Sequence, residues 1–160
     1  MIPGLSGSLL SHEALAEGIR IARDEAVAPA PVRRRLVAWH AAVTREIGPA
    51  SGLRAVYDRV ALPLMTELGF QVAMPDHPPG RALRAVLHAG GAPAAALLVL
   101  PWGEEPGAGW REGVRLGIAQ GLHWCLCLNG RAVRVLDAQR TYARRFVEFD
   151  LAATLESDAA

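Results

Sequence analysis

The sequence predicts a mixed α/β fold in one compact domain. Up to Gly69, apolar residues recur at helical spacing, and after it the period shortens to that of strands. Another helical pattern starts at Trp110, and Asn129-Gly130 after an apolar run is a strong hairpin signal. With 160 residues, 51% of them hydrophobic, the chain can bury a core and is too apolar to be disordered.

Three helices are predicted before the strands. Ser11 suits an N-cap, and the first helix should run from it toward Pro29. The second is expected over residues 31–47, and the third from an N-cap at Ser51 to about residue 68. Pro63 predicts a kink in the third helix, because proline lacks an N–H and its ring crowds the preceding turn.

Strands dominate the predicted structure after Gly69. We expect strands at 70–74, 82–88 and 95–102, a helix at 110–122, and strands at 124–128, 131–137 and 145–149. Asn129-Gly130 predicts a type I′ turn, and Trp124 is expected to anchor its strand against a helix. Residues 152–160 are predicted to be a polar, frayed tail.

Composition excludes several chemistries. All 17 basic residues are arginine, so the chain has no Schiff-base lysine, no lysine general base and no phosphate loop ending in Gly-Lys-Ser/Thr. The longest apolar run is about half of a membrane-spanning helix, and residues 1–10 have no basic segment and only a short apolar patch, so we expect no secretory signal and a cytoplasmic protein without membrane contact. Cys125 and Cys127 are expected to be buried free thiols, because their spacing disfavours a disulfide.

A pattern of Trp, Asn-Gly, Arg and Phe-Asp-Leu positions runs through the second half of the chain. It comprises Trp110-Arg111, residues 121–130, 134–138 and 140–151, with residues 52–70 and Pro101-Trp102-Gly103 also similar. Over about 50–151 the chain thereby resembles the N-terminal region of type IIG-like restriction-modification DNA methyltransferases. In that family a nuclease-like PD-(D/E)xK domain precedes an N6-adenine methyltransferase domain. The predicted order of helix, three strands, helix and strand matches this nuclease core.

The resemblance implies a domain organisation. Residues 1–50 would be a helical pair packed on the core, 51–151 the nuclease-like α/β core and 152–160 the tail, all within a single domain of a longer protein. The chain contains neither an Asn-Pro-Pro-Tyr-type tetrapeptide for a flipped adenine nor a glycine-rich turn for S-adenosylmethionine. That cofactor and the methyltransferase domain are therefore expected downstream, with no cofactor in this segment.

The nuclease residues of the PD-(D/E)xK fold are not present at their expected strand. An active member needs an acid on the second strand and a (D/E)-x-K pair on the third, whereas residues 97–102 read Leu-Leu-Val-Leu-Pro-Trp. Asp76 and Glu104 are the candidate relics, beside Glu105 and Glu67, and a purely structural role fits each of them. We therefore assign no catalytic residue and expect Mg²⁺ only where nuclease activity survives. The resemblance thus implies a degenerate nuclease fold.

Two further clusters are candidates for binding. Five arginines lie within residues 131–145 beside a single acid, Asp137, and they could contact DNA phosphates or form solvated and ion-paired edges: Arg131, Arg134, Arg140, Arg144 and Arg145. His123, Cys125 and Cys127 alternate along a predicted strand at metal-ligand spacing, but a buried strand with two thiols explains them more simply, so no metal is assigned.

We therefore expect a non-catalytic accessory domain of a restriction-modification methyltransferase that contacts or positions double-stranded DNA beside the downstream methyltransferase domain. Two alternatives stay open. One is a docking or dimerisation module without DNA binding, and the other is a residually active, metal-dependent DNA nuclease.

Overall fold

The computed structural model describes residues 4–25, 29–78 and 82–156, and it has the predicted mixed α/β class. One sheet contains seven strands: β1 (Leu5–Gly7), β2 (Gln71–Val72), β3 (Leu83–Ala89), β4 (Ala92–Val99), β5 (Trp124–Leu128), β6 (Ala132–Asp137) and β7 (Phe146–Asp150). The helices are α1 (His12–Glu25), α2 (Pro29–Glu46), α3 (Leu53–Val56), α4 (Leu62–Glu67), α5 (Trp110–Ala119) and α6 (Leu151–Glu156).

The strand order across the sheet is β1-β7-β6-β5-β4-β3-β2. Strands β4 and β5 run parallel, and every other neighbouring pair is antiparallel. A parallel pair needs a crossover connection, and α5 lies in the segment that joins these two strands. In this order β5 is the middle strand and β4 lies beside it, and both are buried along most of their length.

Each face of the sheet has its own apolar core. On one face, Leu97, Val99 and Leu128 cluster with Val56 and Met65 from the helical segment between residues 53 and 67. On the other face, the strand residues that point the opposite way pack beneath α5: Leu98, Leu100, Cys125, Cys127 and Leu136. Trp110, Leu116 and Leu122 pack against this second cluster. Because successive strand residues point to opposite faces, the continuous apolar run of β4 supplies both cores.

The helix in which Pro63 predicts a kink is irregular just before the proline. A π-helical turn, Tyr57–Ala61, lies between α3 and α4, immediately before the proline. Proline has no N–H, so the carbonyl of Arg59 loses its usual α-helical donor. The indole Nε1 of Trp39 on α2 donates to that carbonyl at 3.2 Å. The irregular turn thus also connects α2 to this helical segment.

Several other sequence predictions were wrong at the ends of elements. Gly52, not Ser51, is the N-cap of α3, and the Ser51 hydroxyl instead accepts a hydrogen bond from the Gly48 N–H. The predicted polar tail begins as helix α6, in which Leu151 is buried, while residues 157–160 lie outside the described part of the chain. Strand β1 was not predicted, and β2 pairs through only two residues.

The hairpin between β5 and β6 forms at the predicted place with a different turn. Gly130 has a φ of +92°. Asn129 and Arg131 on either side of it do not have positive φ, since Arg144 is the one non-glycine residue in the described chain that does. A type I′ turn would require positive φ at Asn129 as well. The turn therefore centres on Gly130-Arg131 with positive φ only at its first position, which is the φ pattern of type II′.

Candidate nucleic-acid interface

Strand β4, which contains most of the segment expected to be the third nuclease strand, is apolar and inaccessible at Leu97–Val99. Leu97, Leu98 and Val99 of β4 are each 0% exposed and lie in the two cores. A divalent metal site requires oxygen ligands and room for water. Nothing along these three residues supplies either, so their role is packing.

The four acidic residues considered as remnants of a nuclease site do not come together, and each makes contacts with a different part of the fold. Asp76 pairs with Arg84 through backbone hydrogen bonds of 2.7 and 2.8 Å. The Glu104 carbonyl accepts a hydrogen bond from Asn129 Nδ2 at 2.6 Å. Carboxylate oxygens of Glu105 and Glu67 bind Arg131 and Arg35, each at 2.8 Å. Within the described ranges, no group of three or more His, Cys, Asp or Glu side chains is placed to hold a metal.

The alternating His123, Cys125 and Cys127 have different surroundings. The two thiols are buried under α5, where a Cβ added to Gly113 would approach both sulfurs to about 3 Å. A hydrogen bond with Cys125, together with burial, raises the pKa of the Cys127 thiol, which favours the neutral form. His123 Nε2 instead lies 3.2 Å from Asp137 Oδ1.

Two of the five candidate arginines form ion pairs within the domain, Arg131 at the surface and Arg134 largely buried. The Arg131 guanidinium pairs with Glu105 at 2.8 Å and lies 4.8 Å from the centre of the Trp102 ring. Arg134 pairs with Glu148 at 2.6 Å, lies 4.0 Å from the centre of the Phe146 ring, and its side chain is only 17% exposed. Both therefore have structural partners, in agreement with the ion-paired alternative for these two positions.

Replacing Glu148 with alanine should lower the free energy of unfolding by about 2 kcal/mol, because the largely buried Arg134 charge would lose its partner. Urea denaturation measures this loss. The matched control is Asp58→Ala, which removes an exposed ion pair with Arg54 and should cost about 0.5 kcal/mol or less. Equal losses in the two variants would show that the Arg134 pair has no special structural role.

The other three arginines share one closed loop. The Asp137 N–H donates to the Arg145 carbonyl at 3.3 Å, which joins the two ends of the loop. Within it, the Ala143 N–H donates to the Arg140 carbonyl at 3.1 Å, and Arg144 has a φ of +44°. The side chains of Arg140, Arg144 and Arg145 are exposed, and none has an ion-pair partner among the described residues. We call residues 138–145 the arginine loop.

Asp137 anchors the arginine loop from inside. It is 4% exposed, and its Oδ1 accepts hydrogen bonds from the N–H groups of Gln139 and Arg140, both at 3.0 Å. Burial alone would raise the pKa of Asp137, but these N–H donors and the nearby His123 and Arg140 outweigh it and lower the pKa. The only acid of the basic segment is therefore used inside the fold, and the loop presents only positive charge.

Sequence reasoning missed the aromatic neighbour of this loop. Trp124, expected to anchor its strand against a helix, is 37% exposed and stacks on His123 with ring centres 4.3 Å apart and planes 20° apart. The sequence signal for this pair was that two aromatic residues, His123 and Trp124, stand next to each other at the start of an apolar strand. Their exposure could not be read from the sequence, since it depends on which residues of other strands lie beside them.

Among the described residues, no helix has the length and apolar character needed to span a membrane. Comparison with known proteins found no match among family models, curated proteins or solved structures. The candidate interface is therefore defined only by residues of this chain, namely the arginine loop, Asp137 and the His123–Trp124 pair.

Proposed function

We propose that this chain is a non-catalytic accessory domain that contacts DNA within a restriction-modification methyltransferase. The observation that carries the DNA contact is the arginine loop, whose three exposed arginines have no ion-pair partner in the described part of the chain and whose one neighbouring acid is turned inward. The PD-(D/E)xK-like fold is part of the proposal. It is supported by the order of α3–α4, the β2-β3-β4 meander, α5 and the parallel strand β5.

Arginine suits this role because its guanidinium stays charged at working pH and binds phosphate oxygens through paired donors. Contacts of this kind hold DNA in place without reading its sequence. In this proposal the domain positions DNA for a methyltransferase domain of the same polypeptide, which would bind S-adenosylmethionine. The apolar strand β4 supports a role without strand cleavage. The proposed setting for this role is the cytoplasm.

Neutralising the arginine loop should weaken DNA binding in a salt-dependent way. The variant combines Arg140→Gln, Arg144→Asn and Arg145→Gln, with asparagine chosen because it tolerates positive φ. We expect at least about a tenfold loss of affinity for duplex DNA at low salt, and a slope of log affinity against log salt that is shallower by about 2. Fluorescence anisotropy across a salt series measures both.

The matched control removes the same charge elsewhere, through glutamine at Arg34, Arg45 and Arg111, which are also exposed. It should keep most of the affinity. Equal weakening by both variants would mean that net charge, and not this loop, attracts DNA, and it would contradict the proposal.

Two other results would replace this proposal. Mg²⁺-dependent cutting of duplex DNA that Asp76→Ala abolishes would favour the active nuclease. Absence of DNA binding together with a stable dimer in sedimentation would favour the docking module, for which a cavity of about 260 Å³ bordered by Ile47, Trp102 and Ala152 offers a surface.

A further inference from the structure

We propose that the arginine loop and the His123–Trp124 pair form one site for single-stranded DNA, in which an unpaired base stacks on the aromatic pair. The inference rests on the proposed DNA contact and names the form of DNA that this site prefers. It combines an exposed aromatic surface with cationic side chains on the same end of the sheet.

Asp137 connects the two parts of this site. Its Oδ1 lies 3.2 Å from His123 Nε2 and accepts the Arg140 N–H at 3.0 Å. The His123 imidazole and the backbone at the start of the arginine loop therefore meet at the same carboxylate oxygen. In this proposal, a base stacks on the aromatic pair while neighbouring phosphates of the same strand contact the arginine loop.

The surroundings of Trp124 explain why its indole is accessible. Its partner on β4 is Ala95, and its partner on β6 is Asp137. Directly paired residues point to the same face of a sheet, so the indole lies between a methyl group and a carboxylate that is already bonded to the backbone. Neither neighbour is large enough to cover it, and 37% of Trp124 is left exposed.

The stacked pair favours an unpaired base over a duplex. In a duplex each base already stacks between its neighbours, so the phosphates are available to arginine but the base faces are not. A single strand offers both, and stacking of a base on an aromatic side chain adds affinity with little dependence on sequence. The arginine loop should therefore bind both forms, and the aromatic pair should add affinity only for the single strand.

Anisotropy titrations of the 160-residue chain with a labelled oligo-dT of about 12 nucleotides and with a duplex of equal length test this inference. We expect tighter binding of the single strand. Trp124→Leu should weaken oligo-dT binding by about fivefold or more and leave duplex binding unchanged, while Trp124→Phe should keep most of the affinity. Leu68→Ala, which truncates another exposed apolar side chain, is the matched control and should bind like the parent chain.

A second measurement needs no variant. Saturating oligo-dT should quench part of the tryptophan emission, because a stacked base quenches an indole that phosphate contacts alone do not reach. Equal affinity for the two DNA forms, unchanged oligo-dT binding by a folded Trp124→Leu variant, or absence of quenching would each overturn the inference. Duplex binding that the arginine-loop variant weakens would then still support the proposed function, whereas failure to bind either form would overturn both.

Discussion

Replacing Leu97 with alanine should lower the free energy of unfolding by about 3–4 kcal/mol. Leu97 is 0% exposed at the centre of the sheet, where it pairs with Ala85 on β3 and Leu126 on β5. Removing three carbon atoms there leaves a cavity that the surrounding strands cannot close, because both neighbours are held in register by their own hydrogen bonds. Urea denaturation followed by circular dichroism measures the loss.

Leu62→Ala is the control for this change. Leu62 lies on α4 with 37% of its surface exposed, so the same truncation should cost about 1 kcal/mol or less. A cost at Leu97 close to that at Leu62 would contradict the tightly packed strand β4. The expected difference bears on the proposed function, because in the proposed PD-(D/E)xK-like fold β4 is the strand that would carry the nuclease residues.

Replacing Asn129 with alanine should lower the free energy of unfolding by about 2–3 kcal/mol, because it leaves three partly buried backbone groups without their partner. Asn129 is 1% exposed. Its Oδ1 accepts hydrogen bonds from the N–H groups of Arg131 and Ala132 at 2.9 and 3.0 Å, and its Nδ2 donates to the Glu104 carbonyl at 2.6 Å. One side chain thus joins the β5–β6 turn to the segment that follows β4.

Amide hydrogen exchange separates this local effect from general destabilisation. In Asn129→Ala, the amides of Arg131 and Ala132 should lose more protection than those at the centre of β5. Gln139→Ala, at an exposed position whose backbone N–H supplies its hydrogen bond to Asp137, should cost about 0.5 kcal/mol or less. A loss below about 1 kcal/mol at Asn129 would show that water or a rearranged turn replaces the buried hydrogen bonds.

The candidate site shows the limit of reasoning from spacing. Arg131, Arg134, Arg140, Arg144 and Arg145 are equivalent in the sequence, as basic residues in a segment with one acid. Arg131 and Arg134 pair with carboxylates that are distant in the chain or on the next strand, whereas the other three have no such partner within the ranges that the structure describes. The partners of Arg131 and Arg134 could not be predicted, because an ion pair depends on which strands become neighbours.

The fold was predictable wherever the signal was local. Strand β5 has the predicted bounds and α5 begins at the predicted Trp110. Both were predictable because the spacing of apolar residues that distinguishes a strand from a helix is seen within a few consecutive residues. Ser11 caps α1 as expected, with its hydroxyl accepting the Ala14 N–H at 3.1 Å. Strand β1 was missed because its pairing with β7 joins residues 140 to 144 positions apart and leaves no pattern in three residues.

The sequence by itself determined the α/β class, the order of its main elements, and the absence of any acid or lysine on β4. Periodicity and residue identity are properties of consecutive positions, so no knowledge of the fold was needed for them. Only the tertiary structure decided that Arg140, Arg144 and Arg145 have no ion-pair partner among the described residues, that Asp137 is turned inward, and that Trp124 stacks on His123 at an exposed surface. Burial and ion pairing depend on side chains brought together from distant parts of the chain, and this is why the site could be described only once the sheet was known.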